Sequence, residues 1–340
     1  MNQELRKDAK QIIDEAIASV QPDAAVRRAL SNIVFSEHVY IVAIGKAAWQ
    51  MANAASKYLG DRIDKGIVIT KYHHVMGQLP RIHCVEAGHP VPDENSFKGT
   101  QEVLSMVKDL TEEDMVLFLV SGGGSALFEK PRISKKELSD ITEQLLASGA
   151  DIVEMNTIRK RLSEVKGGRF ALACMPAMVE AVVLSDIVGD PMDMIASGPA
   201  YPDASTCEDA GKIAKKYKLR LSAAAEKCLA DETPKELHNV HTQIIGSVRQ
   251  LCKAAYKACK ELGYEPRILA EDVTAEAREV GWNLAHLCLR EHDNAGEKKM
   301  ALIAGGETVV HLRGKGKGGR NQELAFSAMK VIAGQKDIAI

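Results

Sequence analysis

Apolar residues near the start of the chain recur at helical spacing. Leu5, Ala9, Ile12, Ile13, Ala16, Ile17 and Val20 form one stripe, which predicts an amphipathic helix that Pro22 ends or turns. The pattern then changes to short, almost continuously apolar runs at 39–44, 66–70, 82–86, 115–120 and 178–184, separated by segments of helical period. Runs of that kind predict strands covered by helices, and their alternation with helices predicts a mostly parallel sheet. After the charged stretch Asp231-Glu-Thr-Pro-Lys-Glu the alternation restarts, with strands expected at 241–245, 267–270 and 300–304. Between the first two of these, Val248, Leu251, Cys252, Ala255, Cys259 and Leu262 line one helix face. A boundary is therefore expected near residue 236, with a Rossmann-like α/β domain over 1–235 and a second α/β domain over 236–340. No internal repeat or low-complexity segment interrupts this organisation.

Composition narrows the function classes. With 340 residues, 46% hydrophobic and 26% charged, the chain is long enough to bury two cores. A net charge of -2 and an aromatic content of 4% argue against a nucleic-acid binder, which needs a broad basic face or stacking rings. The seven cysteines form no C-x-x-C pair and leave one over, so neither a disulfide framework nor a structural zinc site is expected. The N-terminus lacks an apolar signal core and no apolar stretch reaches membrane-spanning length. A soluble, cytoplasmic protein with no membrane partner is the expectation.

Two glycine-rich segments carry the chemistry. The first, Ser121-Gly122-Gly123-Gly124-Ser125-Ala126, follows the apolar run 115–120. The second, within 304–323, follows the run 300–304 and holds Arg313, Lys315, Lys317, Gly318, Gly319 and Arg320 before a helix expected to begin at Asn321. Glycines let backbone N–H groups approach an anion closely, and a helix start adds N–H groups without intrahelical partners. Neither segment matches G-x-x-x-x-G-K-[ST] or G-x-G-x-x-G. The competing reading of each is a plain turn.

Other strand ends add candidate groups. Lys46 follows the first strand at a helix start, where a cation is slightly disfavoured by the helix dipole, so a phosphate-facing role is the better reading. Asp186, Asp190 and Asp193 cluster after the run 178–184 as magnesium ligands or a base, against simple loop capping. The basic segment 156–169 is expected to be mostly solvated, with Arg159 and Lys166 reaching a carboxylate or phosphate. His89, between Gly88 and Pro90, is an acid or base candidate, although stiff loop geometry from Pro90 and Pro92 is the favoured reading.

Together the blocks 43–47, 86–93, 121–126, 156–168, 185–203 and 304–323 resemble the glycerate kinase family whose members carry a C-terminal MOFRL domain, a family also labelled hydroxypyruvate reductase. The resemblance spans residues 40–330. It implies two dissimilar three-layer α/β/α domains with mostly parallel or mixed sheets and an active site in the interdomain cleft. It also implies ATP with Mg2+, and phosphorylation of D-glycerate to 2-phosphoglycerate. Lys46 and Arg320 match the lysine and arginine that the family regards as central to catalysis. On that scheme Ser121, Gly122, Gly123, Gly124, Ser125, Gly318 and Gly319 hold nucleotide phosphates. Arg159, Lys166, Glu307 and Asn321 serve the substrate, Asp190 or Glu307 orients the hydroxyl, and Asp186 and Asp190 meet the metal. Small molecules are then the expected partners, with a homo-oligomer left open. The chain departs from the family at Arg161, where a histidine is common, and at Ile340, where the sequence stops before an Asp/Gly-rich segment; the second domain is therefore expected to be incomplete. Two alternatives remain at this level. One is a hydroxypyruvate reductase, which the missing dinucleotide fingerprint argues against; the other is a truncated, non-catalytic ligand-binding protein.

Overall fold

A computed structural model describes residues 3–185, 191–296, 298–311, 314 and 316–340. The chain divides into two compact units, which are mixed α/β in build. Residues 22–185 and 191–245 make up one; residues 3–21 and 246–340 contribute to the other.

The larger unit is built on β1 (His38–Ile44), β2 (Ile63–Lys71), β3 (Ile82–Ala87), β4 (Asp114–Ser121), β5 (Met178–Leu184) and β6 (Val240–Gly246). Among the described residues these form one sheet in the order β3-β2-β1-β4-β5-β6, parallel at each pairing from β3 through to β5. Every residue of β4 is buried, as its uninterrupted apolar run requires of a strand covered on both faces. The helix Ala48–Leu59 packs on the sheet through Ala48, Met51, Ala52, Ala54 and Ala55, whose mostly small side chains bring the helix close to β1 and β2. A separate apolar cluster joins helices Lys135–Ala147, Ile152–Arg161, Cys207–Lys216 and Ala223–Leu229 through Leu138, Ile141, Ile158, Ala210 and Leu229. Strand order reverses between β1 and β4. In open parallel sheets the crevice for a ligand lies at the carboxyl ends of the strands on either side of such a reversal.

The strand expected at 241–245 exists, but as β6 it joins this first sheet beside β5 rather than opening the second α/β unit. The approach to β6 explains the choice. The Asn239 carbonyl accepts from the Val179 amide at 2.7 Å, and its side-chain amide donates to Ala171 O at 2.9 Å and Ala177 O at 3.1 Å.

In the other unit, β7 (Glu265–Val273) and β8 (Met300–Gly306) pair in parallel, with register shifts after Ile268 and Ala270. The helix Val248–Glu261 covers both strands. The helix Gln3–Ser19 packs on it and is tied down by Tyr264, whose hydroxyl donates to Asp8 at 2.8 Å. Helices Ala277–Ala295 and Arg320–Ile332 approach so closely at Gly281 that a Cβ there would lie 2.2 Å from Leu324 O. No helix among the described residues is long and apolar enough to cross a membrane.

Candidate active site

At the reversal point the ends of β1 and β4 are stitched together. Gly45 has φ 110°, and a Cβ there would fall 2.3 Å from Ser121 O, so a side chain would drive the strands apart. The Lys46 amide donates to Gly122 O at 2.8 Å. The Ser121 hydroxyl donates to Ile44 O at 3.1 Å and accepts from the Ala47 amide at 3.0 Å. The backbone of Lys46 is therefore fixed while its side chain stays exposed. Ser121 itself is buried and its hydroxyl is committed to the stitch, so within the expected phosphate loop it serves as an anchor.

The turn that follows runs through Gly122 and Gly123 into the short helix Gly124–Leu127. Gly123 has φ 87°, and a Cβ on it would meet Cδ2 and Nε2 of His89 at 2.9 Å and Cε of Lys46 at 3.2 Å. Three segments distant in sequence thus converge on one backbone position. His89 leaves the end of β3 with a cis peptide bond to Pro90, followed by the capping box of Asp93 and Ser96 on helix Glu94–Val107. This loop brings the imidazole to Gly123. Beside it Glu86 accepts from the amides of His74 and Val75 at 3.0 and 2.9 Å. The Val75 bond leads the effects that hold its carboxyl below the ordinary carboxylate range, against its partial desolvation.

Ser125 closes the turn. Its hydroxyl lies 3.0 Å from that of Ser197, which donates to Asn156 Oδ1 at 3.1 Å; with the Ser197 proton so used, Ser125 donates along the chain. Ala196 and Ser197 have φ 51° and 62°, a left-handed backbone that costs energy outside glycine, and Gly198 continues it at 63°. This strained segment packs against Gly124, where a Cβ would be 2.6 Å from that of Ala196.

The basic segment behaves differently from the solvated helix expected of it. Lys160, Arg161 and Lys166 are all buried. Lys160 bridges Asp193 at 3.1 Å and Asp203 at 3.2 Å. Arg161 donates to Thr157 O, to the hydroxyl and carbonyl of Ser205 and to Glu232. Lys166 donates to Ser125 O and Phe128 O, both at 2.9 Å, and pairs with Glu129 at 3.2 Å. Its expected contact with substrate is therefore corrected, because an ammonium with no exposed surface acts on the loop and not on a ligand. Arg159 is half-buried, with Nη2 3.4 Å from Ser125 O. Asp203, to which the sequence pattern assigned no part, is the hub of this network, and burial of opposite charges leaves no local periodicity by which to find it.

In the other unit the second glycine-rich segment connects β8 to the helix Arg320–Ile332, which begins one residue earlier than expected. Arg320 pairs with Glu307 at 2.6 Å with both side chains half exposed, and Gly318, Gly319 and Asn321 are exposed beside it. Glu307 is thus the partner of Arg320. Gly319 sits at the helix N-cap without a side chain, leaving the leading N–H groups open to an anion. Arg313, Lys315, Asp186 and Asp190 lie outside the described residues. Among the described residues no group of three or more His, Cys, Asp or Glu side chains is arranged to hold a metal.

The sequence matches the family model for a domain of unknown function, DUF4147, over residues 8–230 and that of the MOFRL family over 300–340. It is 48% identical to the D-glycerate 2-kinase of Thermotoga maritima, across 99% of this chain and 81% of that protein. Identity to the glycerate 2-kinase of Pyrococcus horikoshii is 36%, across 97% of this chain and 80% of that protein. Among solved structures, glycerate kinase from Thermotoga maritima superposes with a TM-score of 0.95, covering 98% of this chain and 82% of its own.

Proposed function

This chain belongs to the glycerate kinase family, and we propose that it transfers a phosphoryl group from ATP to the 2-hydroxyl of D-glycerate. The observation that carries this reading is the convergence of the exposed Lys46 and the half-buried His89 on Gly123 at the reversal point of a parallel sheet. That position is where such folds bind phosphorylated ligands.

In the reaction the 2-hydroxyl oxygen of glycerate forms a bond to the γ-phosphorus, the bond from that phosphorus to the β–γ bridging oxygen breaks, and the hydroxyl proton leaves to a carboxylate, for which Asp190 is the assignment. Amides of Gly122 to Ser125 cradle the phosphates, and the Lys46 ammonium stabilises charge that spreads over the transferring oxygens. The planar guanidinium of Arg320, held by Glu307, offers two parallel donors to phosphoryl oxygens, with Gly318 and Gly319 supplying backbone N–H groups. Arg159 and Asn321 are assigned to the glycerate carboxylate and hydroxyls. Asp186 and Asp190 are the carboxylates that would hold Mg2+, which would supply positive charge to the substrate phosphates.

The test is ADP release from the purified chain with D-glycerate, ATP and Mg2+, with the product identified by phosphorus NMR. Formation of 2-phosphoglycerate is expected. Exclusive formation of the 3-phosphate, or NADH-dependent reduction of hydroxypyruvate without phosphoryl transfer, would overturn the assignment.

A further inference from the structure

Behind the Gly122–Ser125 turn lies an ion pair to which phosphoryl transfer assigns no role. The side chains of Lys166 and Glu129 are 0% and 1% exposed, 3.2 Å apart. No hydrogen bond among the described residues reaches either carboxylate oxygen of Glu129. Its backbone amide donates to the Thr100 hydroxyl at 3.0 Å. Isolated buried pairs of this kind add little to stability, because desolvating both charges offsets their attraction, and an apolar pair of equal volume often serves a core as well. What Lys166 does supply is local: its ammonium grips the carbonyls of Ser125 and Phe128, at the start and just beyond the end of the short helix Gly124–Leu127. The Arg159 guanidinium, on helix Ile152–Arg161, lies 3.4 Å from the same Ser125 carbonyl oxygen.

We propose that the Lys166–Glu129 pair is a positioning device for the anion loop, turning the Ser125 carbonyl inward so that the N–H groups of Gly122 to Ser125 face the phosphates. This rests on the reading of the loop as the nucleotide site. Lys166 acts through the loop and touches no reacting atom. The charged groups facing its ammonium are Glu129, beyond the short helix, and Arg159, on helix Ile152–Arg161. Burial lowers its pKa, Glu129 raises it and Arg159 lowers it further, leaving it at about 8. The ammonium, and with it the pairing to Glu129, is therefore lost as pH rises through that value.

The test uses the intact chain, with ATP affinity read by calorimetry without glycerate and steady-state kinetics followed from neutral to alkaline pH. Lys166→Met, shown to be folded by a cooperative melt, should weaken ATP binding and raise its KM on the order of 10- to 100-fold, with a smaller change in the KM for D-glycerate. In the wild type, kcat/KM for ATP should fall above about pH 8. Glu129→Gln removes the influence that raises the Lys166 pKa, so the alkaline fall should move to lower pH. A merely structural pair would shift melting and leave that limb in place. Wild-type ATP affinity in folded Lys166→Met, or an unmoved limb in Glu129→Gln, overturns the proposal; if Lys166→Met does not fold, the limb decides alone. A wild-type chain that binds ATP without phosphorylating glycerate defeats the kinase reading, while the calorimetric comparison still judges the loop. Failure of the wild type to bind ATP defeats both.

Discussion

Gly123→Ala isolates the convergence at the reversal point from the general cost of altering a glycine. The added methyl would lie 2.9 Å from the His89 ring and 3.2 Å from Lys46 Cε. Carbon atoms pack best at about 3.5–4.0 Å, so the ring must retreat by about 0.6 Å or more, and the flexible lysine by less. The backbone contributes a second cost, because φ 87° in a residue with a Cβ is unfavourable by about 1–2 kcal/mol. Gly149 provides the control. It lies beyond the helix Lys135–Ala147 at φ 73°, with nothing within 4 Å of where a methyl would stand, so Gly149→Ala carries the backbone cost without the clash. Both variants should lose about 1–2 kcal/mol in chemical denaturation. Only Gly123→Ala should lose activity, with kcat/KM for ATP falling on the order of 10- to 100-fold as Lys46 and His89 leave their positions. Equal activity in the two variants, at matched stability loss, would refute the assignment of this convergence as the reactive centre.

Other substitutions separate charge from geometry. Arg320→Lys keeps the charge but not the paired donors, and should slow phosphoryl transfer on the order of 100-fold in single-turnover kinetics. Lys46→Met should lower kcat by a similar order while its melting curve overlays that of the wild type, since the side chain is exposed and its backbone holds the contacts. Asp203→Asn should destabilise the larger unit by about 3–5 kcal/mol in urea titration, because Lys160 and Arg161 lose the buried carboxylate that compensates them. Burial pushes the Asp203 carboxyl up, but Lys160 and the hydroxyls of Thr233 and Ser205 outweigh it and hold the pKa below the ordinary value. The folded carboxyl thus stays ionised where the unfolded one protonates. Its stabilisation is present above the ordinary carboxylate range near pH 4 and is lost as pH falls through the lower folded value, so the variant should show a shallower acid limb.

Periodicity made the architecture legible where a strand's own residues decide its environment. The apolar runs at 39–44 and 115–120 fall within β1 and β4, and the glycine-rich turn after the second lies at the strand end where it was expected. Partner choice was not legible in the same way. Nothing in 241–245 says that β6 pairs with β5; that follows from Asn239, whose hydrogen bonds reach residues more than sixty positions away. The basic run around Arg161 reads as a solvated face because sequence spacing records charge and not the location of the neutralising Asp203 and Glu232. His89 was visible as a chemical group, yet its approach to Gly123 depends on the place of β3 and β4 in one parallel sheet, which brings their carboxyl ends to the same edge. The carboxylates Asp186 and Asp190 lie outside the described residues.

The union of residues 3–21 with residues 246–340 has a consequence for biosynthesis. The helix Gln3–Ser19 is translated before the helix it packs against, Val248–Glu261, which follows roughly 230 residues later, a delay of about 10–50 s at ordinary elongation rates. Throughout that interval its apolar stripe has no native partner. The larger unit, by contrast, can finish its sheet as soon as β6 emerges. Vectorial synthesis therefore orders assembly, with the helix Gln3–Ser19 kept from its native contacts until residues 246–340 have been made.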